Sequence, residues 1–470
     1  MPDGTDKPAS SPKRSFAAPT GTRDLYPLEL ARRRWIEDKW RKSAVRHGFE
    51  EVDGPTFEHT ELYTAKSGDG IVGEIFSTFS GKDEAAVKAM GDALARGEKG
   101  AAPYALRPEF TPTLARMFAA RGGQFSKPCK WSWQGPCYRA ERPQRGRLRE
   151  FLQWNCDLIG DGSAAADVEV MAVCVGLLES VGLKPADLRL RFNSRRVLGS
   201  LVREMGVDAE HESTAFVLLD RRDKLDDDAL EAMAFEFGTS DFGFLQFLKR
   251  PRGRTGADEA LNAMPLDARA KANSLLEPIT AVSRELQNAG IAEWCDLDFN
   301  VARGLAYYTG TVFELHEASG AMRAVAGGGR YDNLIETFGG PPTPAVGFGM
   351  GDVVLSLVLQ DKGLMPSDKQ IAADLGLRPD VFVISNGQPE SDALVGAYLA
   401  DLRRKGMHAR RSYKTTKNVG KLLQDAASCN ARYAVIIESA TDVTLKDMDA
   451  NTQDKGPASE LLARILPPPR

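Results

Sequence analysis

The chain has 470 residues, with 61 Lys and Arg against 65 Asp and Glu and a formal net charge of −4. That length exceeds one hydrophobic core and predicts two to four domains, and the charge excludes a non-specific coat for nucleic acid while permitting a local basic surface. The six cysteines, at 129, 137, 156, 174, 295 and 429, form no CxxC pair, which fits a reducing, cytoplasmic compartment. Five histidines show no zinc spacing, so no protein-held metal is expected. No apolar run reaches the ~18–20 residues of a membrane span.

Residues 1–18 are polar and Pro/Ser-rich and read as a disordered tail. Leu28 to His47 predicts a helix, with Trp35, Ile36, Trp40 and Ala44 as its apolar stripe and Gly48 as its stop. Phe49 to Phe57 alternates as a strand broken at Pro55; with the helix it forms a dimerisation element or a plain packing unit. Residues 82–102 are Ala-, Lys- and Gly-rich and read as a hairpin or loop. In the run from Tyr104 to Pro112, Thr111 reads as an N-cap and Pro112 as the first helical residue. Glu109, just outside that helix start, would either favour the helix dipole or bind an ammonium group.

Lys130 to Gly160 predicts two antiparallel strands joined by a basic loop. Arginines at 139, 142, 145, 147 and 149 surround a Pro143-Gln144-Arg145-Gly146 turn. With period two, Arg147, Arg149, Phe151, Gln153, Asn155 and Asp157 share one face, and Leu148, Leu152, Trp154, Cys156 and Leu158 the other. The second is a core face. The first carries cations, amides and a carboxylate, and burying each unpaired polar group costs roughly 1–3 kcal/mol. Such a face meets a polar ligand or lies on a solvated sheet edge.

Ala166 to Val181 reads as a helix and Leu188 to Phe192 as a strand. From 195 to 290 the texture is helical. Asp226 caps a helix carrying Leu230, Met233, Ala234 and Phe237; a second carries Leu275, Ile279, Val282 and Leu286; a basic loop, Lys249 to Arg254, lies between. Strand texture resumes with Leu297, Phe299 and Val301, and Arg303-Gly304 breaks it, as a close backbone approach to a ligand or as a bulge before two core tyrosines, Tyr307 and Tyr308. Ala326 to Asp332 is glycine-rich without a P-loop or Rossmann pattern, and reads as a strand-to-helix turn. Glycines 347, 349 and 351 alternate, leaving one strand face bare for a planar ligand. Val353 to Gln360 is helical, and 366–379 reads as a linker. From Asp380 the pattern is α/β, with strands at 381–384, 408–412 and 433–437 and helices at 394–404 and 422–427. Eight lysines and arginines and no acid lie between Arg403 and Lys421, a solvated run or a nucleic-acid surface.

Taken in order, these pieces resemble the histidyl-tRNA synthetase family of class II aminoacyl-tRNA synthetases over almost the whole chain. Tyr138 to Arg147, then Arg149-Glu-Phe151 and Gln153, is similar to the class's second motif. Leu106 to Thr111 is similar to the amino-acid loop, and Arg303 to Tyr308 and Ala326 to Asp332 to the family's two signatures. The resemblance implies an α+β catalytic domain (19–194 and 291–365) with a mixed, mostly antiparallel sheet flanked by helices. A helical insertion (195–290) interrupts it, and a C-terminal α/β three-layer anticodon-binding domain (380–470) follows. It implies a cytoplasmic homodimer that activates L-histidine with ATP and Mg²⁺, then charges tRNA(His).

The roles carried over are these. Arg139 and Arg303 face the α-phosphate as catalytic cations; Glu141, Arg147 and Phe151 complete the ATP site. Glu109, Phe110, Thr111, Gln153, Asp157, Tyr307 and Tyr308 hold histidine, with Asp157 and one of the two tyrosines on the imidazole nitrogens. Such a site needs no editing domain, so the insertion is expected to contact tRNA. One position departs from the class pattern: Val354 stands where the third motif carries an arginine over ATP, and Arg330 and Arg323 are the candidates to replace it. A synthetase-like, histidine-sensing regulatory subunit of ATP phosphoribosyltransferase, or a non-catalytic tRNA-binding paralogue, is the alternative.

Overall fold

The computed structural model describes residues 17–65, 73–82, 84–97, 102–222, 225–236, 238–239, 242–249, 275–302, 307–318 and 323–466. Two compact units partition the chain: one runs to Asp24 and resumes over Ile36–Leu364, the other joins Leu25–Trp35 to Met365–Arg470.

Among the described residues, the main sheet of the first unit has eight strands: β1 (Glu50–Glu51), β2 (Cys129–Tyr138), β3 (Glu150–Ile159), β4 (Leu188–Ser194), β5 (Cys295–Leu297), β6 (Thr311–Glu317), β7 (Ala326–Arg330) and β8 (Ala345–Gly351). Their spatial order is β1-β2-β3-β8-β7-β6-β4-β5. Pairing is antiparallel except at the margins, where β1 runs parallel to β2 and β5 parallel to β4. β2 and β3 form the predicted hairpin, from Tyr138 opposite Glu150 to Cys129 opposite Ile159. The turn at its tip closes through a Gln144–Arg147 bridge with Gly146 at φ +79°, a left-handed conformation that suits glycine. Helix Ala164–Ser180, capped by the Ser163 hydroxyl, packs its apolar residues against β3 and β8, and helix Glu277–Asn288 packs against that helix.

Several expectations change. Residues 84–95 form a helix, not a hairpin or loop; the alanines favour it, while Gly91 inside it costs about 1 kcal/mol relative to Ala and blurs the pattern. The helix after Glu109 is Thr111–Arg121, with Phe110 at the cap position and no side-chain cap bond. Thr111 is therefore the first helical residue. Ala326–Arg330 is not a turn but a buried strand, paired on both sides. The 366–379 segment contains helix Asp368–Asp374, capped by Ser367. In the 195–290 segment, helices occupy Arg195–Glu204, Glu212–Arg221, Asp227–Glu236 and Phe242–Leu248, and Asp226 caps the third by accepting from the Ala229 amide at 2.8 Å. Phe237 and the loop from Arg250 to Arg254 lie outside the described residues.

In the second unit, β9 (Val381–Ser385), β10 (Ala409–Arg411), β11 (Tyr433–Ile437), β12 (Asp442–Asp447) and β13 (Thr452–Pro457) pair in the order β10-β9-β11-β12-β13. Alternation along β9 explains the three layers. Val381 and Val383 join Leu399 and Leu402 of helix Pro389–Arg404 on one face, while Phe382 and Ile384 join Leu422 and Ala426 of helix Val419–Ser428 on the other. Arg403, Arg404, Lys405, Arg410, Arg411, Lys414, Lys417 and Lys421 are all exposed.

Candidate active site

A cleft of about 270 Å³ opens on the first unit's sheet. Its wall is the predicted polar face of β3: Phe151, Gln153 and Asn155 line it, while Leu152, Trp154, Cys156 and Leu158 turn into the core. Arg147 lines it too. Arg149 does not. The strand begins at Glu150, and the Arg149 guanidinium donates instead to the Glu141 carbonyl at 3.1 Å.

The bare face of β8 has a use that its sequence did not reveal. Gly347 pairs with Asp157, Gly349 with Asn155 and Gly351 with Gln153. A Cβ on Gly347 would sit 1.9 Å from Asp157 Oδ1, and one on Gly349 2.8 Å from Gln153 Nε2. The glycines first make room for β3's polar side chains; only Gly351 faces open space. The glycines of β7 act alike, since a Cβ on Gly329 would lie 2.8 Å from the Tyr308 ring.

At one end of the cleft, polar groups are buried and joined. Asp157 is completely inaccessible, and the Tyr331 hydroxyl donates to its Oδ1 at 2.6 Å. Its Oδ2 has no hydrogen-bond partner among the described residues. Burial pushes this carboxyl up to about 7, against the pull of the tyrosine hydroxyl. Glu109 is also buried and accepts from the Tyr307 hydroxyl at 2.8 Å. A relay crosses the wall: Gln153 Nε2 donates to Asn155 Oδ1 at 2.8 Å, and Asn155 Nδ2 donates to Thr111 Oγ1 at 3.2 Å. Thr111 thus serves the site rather than the helix cap. Phe110 is not on the cleft wall; it is wholly buried, stacked on Trp133 at 4.1 Å. Arg107 braces the same loop, bonded to the Pro136 carbonyl at 2.8 Å and lying 4.4 Å over the Trp133 ring.

The other end is open and charged. The Arg139 guanidinium lies 5.4 Å over Phe151, and its Nε donates to the Pro108 carbonyl at 3.0 Å. Arg147 pairs with Glu141. Glu74, on a neighbouring loop, has its carboxyl pushed up to about 7 by burial and by the adjacent Glu141 carboxyl. Arg323, Val353 and Val354 line this end. Arg303 lies with residues 304–306 outside the described residues.

This arrangement can hold a polyanion and an aromatic ring at one end and a small polar molecule at the other. The sequence profile of histidyl-tRNA synthetase matches residues 21–351. The chain is 36% identical to the histidine–tRNA ligase of Haloarcula marismortui, over 93% of this chain and 95% of that one. The chain belongs to the histidyl-tRNA synthetase family. It is also 34% identical to the Opitutus terrae histidine–tRNA ligase, over 96% of this chain and 98% of that protein. The crystal structure of the histidyl-tRNA synthetase from Nostoc superposes with a TM-score of 0.71 at 21% identity, covering 96% of this chain and 99% of that one, a likeness in fold.

Three residues of the site were not singled out from the sequence. Tyr331 was legible only as part of the glycine-rich signature, Asn155 only by its parity, and Glu74 carried no signal.

Proposed function

We infer that the protein is a histidine-specific aminoacyl-tRNA synthetase: it joins L-histidine to ATP as histidyl-adenylate, releasing pyrophosphate, and transfers the histidyl group to the 3′ end of tRNA(His). The observation that carries this reading is one strand serving both ends of the cleft, with Phe151 under Arg139 and Asp157 under Tyr331. Six residues of strand separate them, roughly 20 Å at ~3.3 Å per residue, room for an amino acid joined to a nucleotide.

The attacking group is the histidine carboxylate, already a nucleophile, so positioning and charge neutralisation dominate over proton transfer. Phe151 stacks on adenine. Arg139 faces the α-phosphate, where negative charge builds as the carboxylate oxygen attacks, and Arg303 is the second cation of that step. Glu141 and Arg147 flank the nucleotide. Glu109 and Thr111 receive the ammonium group, and the Gln153 amide holds the carboxylate. Neutral imidazole offers one donor and one acceptor: Asp157 Oδ2 accepts from the N–H, and the Tyr308 hydroxyl donates to the other nitrogen. Tyr307 already donates to Glu109 at 2.8 Å, and Tyr308 lines the cleft beside it. Analogues that leave such buried groups unpaired are rejected by roughly 10⁴–10⁵, without an editing domain.

Glu74 and Glu141, two carboxyls crowded beside Arg139 and Arg147, fit a Mg²⁺ ion arriving with ATP, and would hold it in place of the proton that Glu74 favours. The ion would neutralise phosphate charge. The exposed cations from Arg403 to Lys421, with the Arg411 guanidinium 4.6 Å over the exposed Tyr413 ring, suit a single-stranded anticodon. The 195–290 segment contacts the tRNA elsewhere, and the enzyme works as a cytoplasmic homodimer. No described helix is long and apolar enough to cross a membrane.

ATP–pyrophosphate exchange, measured with each standard amino acid in turn, tests the reading. Exchange with histidine alone is expected. Intact protein that exchanges with no amino acid refutes it.

A further inference from the structure

Val354 leaves the phosphate end of the cleft without the arginine that the class's third motif carries. Its side chain lies 3.4 Å from where a Cβ on Gly146 would stand, and it offers an apolar wall there. Two arginines were candidates to replace the missing one, and the structure separates them. Arg330 is 6% exposed and fully engaged: its guanidinium donates to Asp167 Oδ1 at 2.8 Å, to Asp332 Oδ1 at 3.1 Å, and to the carbonyls of Asp161 and Ser163 at 3.1 Å each. It holds β7 to the start of helix Ala164–Ser180 and does not line the cleft. A third cation at this corner, Arg23, is tied to Asp352 at 2.5 Å.

Arg323 differs on each count. It lines the cleft together with Arg139, Arg147, Phe151 and Val354, and it makes no hydrogen bond or ion pair with any described residue. Its chain position matters too. Arg323 enters β7 two residues before Val325, whose carbonyl accepts from the Gly351 amide at 3.3 Å. Gly351 immediately precedes helix Asp352–Asp361, which bears Val354. A side chain launched from Arg323 therefore reaches the same corner from the neighbouring strand that the missing arginine would reach from the helix. Desolvation in the cleft and the charge of Arg147 hold its guanidinium below its ordinary pKa, with Arg139 acting the same way. Clustered cations of this kind are relieved by a polyanion.

We propose that Arg323 is a further cation of the ATP site, beside Arg139, Arg147 and Arg303, holding the β- and γ-phosphates in place of the arginine absent at Val354. The proposal rests on the ATP-dependent reading above. The guanidinium fork suits bidentate phosphate binding, which an ammonium group reproduces only in part. Equilibrium binding of ATP with Mg²⁺, of AMP and of histidine to the full-length parent, Arg323→Ala and Arg323→Lys tests it. The expected result is a loss of ATP affinity of tenfold or more in Arg323→Ala, little change for AMP, histidine affinity within twofold of the parent, and partial recovery in Arg323→Lys. ATP affinity within twofold of the parent overturns the proposal. So does an equal loss for ATP and AMP, which would put the residue on the nucleoside, and so does a parallel loss of histidine binding, which would make it structural. A parent protein that fails histidine-dependent exchange would overturn the proposed activity, while the contrast between ATP and AMP still decides Arg323.

Discussion

The two ends of the cleft solve opposite problems. The end proposed for the imidazole is dry and joined: Asp157, Tyr331, Glu109 and Tyr307 are all buried, and each is held by a neighbour at 2.6–2.8 Å. The end proposed for the phosphates is open, with Arg139 and Arg147 half-buried and Arg323 exposed. A neutral ring that must be distinguished from other rings needs partners that suffer when left unpaired, and that requires burial. A polyphosphate needs only convergent charge, which works near solvent. The lesson is that the imidazole end is intolerant of a single misplaced atom, whereas the phosphate end loses function in steps.

The largest effect that would break this contrast comes from one methyl group. Gly347→Ala places a Cβ 1.9 Å from Asp157 Oδ1, so the carboxyl or the strand must move. We expect kcat/KM for histidine to fall by about 10³-fold or more, on the scale seen when buried recognition groups are left unpaired, with ATP affinity kept within a few-fold. Equal losses for both substrates would show that the two ends are not independent. Next in size is Arg139→Ala. Removing one charge-stabilising donor costs on the order of 10²–10³ in kcat, and histidine affinity should be unchanged, as read by equilibrium binding without ATP.

How much of this was legible in the sequence follows from how far each signal travels. The parity of Phe151, Gln153 and Asn155 was legible because period two is a local property of a strand. It failed at Arg149 because the strand starts one residue later. The bond between Tyr331 and Asp157 joins residues 174 apart, and nothing local announces it. β7 escaped because glycine disfavours strands; its glycines are explained only by what crosses them, the Tyr308 ring and the Gly347 carbonyl. β13 escaped for a different reason. Its sequence, Thr452 to Pro457, is almost wholly exposed and has no apolar alternation, so its pairing with β12 fixes it. β12 and helix Ala458–Ala463 escaped as well; the parallel core of the C-terminal α/β unit was easy to read, since each face of β9 carries its own apolar set.

A smaller effect uses pH to sharpen the contrast. The Asp157 carboxyl is raised to about 7 by burial, above its unfolded value near 3.9, so the folded state holds this proton more tightly than the unfolded state. That contribution to stability is complete below about pH 4 and is lost as the pH rises through 7. Asp157→Asn should therefore melt above the parent at pH 8, with the difference shrinking towards pH 5. Binding has the opposite sign. Acceptance from the imidazole N–H needs the ionised carboxylate, so KM for histidine, expressed for its neutral-imidazole form, should fall about tenfold between pH 6 and 8, at roughly tenfold per unit below the pKa. A histidine KM that does not change with pH would remove Asp157 from imidazole recognition.

The smallest effect isolates a single hydroxyl. Tyr331→Phe keeps the ring packing at 6.0 Å from Tyr307 and deletes the 2.6 Å bond to Asp157 Oδ1. The hydroxyl favours the ionised carboxyl, so its loss should raise the Asp157 pKa further and shift the histidine pH profile upward. A hydrogen bond to a charged group contributes about 1.5–3 kcal/mol, but the substrate's own N–H compensates in the bound state. The expected rise in KM for histidine at pH 8 is therefore only about fivefold to tenfold, with a larger rise at pH 6.5, where fewer carboxyls are ionised. A uniform rise at both pH values would mean that Tyr331 acts by shape alone, and the imidazole end would then owe its selectivity to packing rather than to paired polar groups.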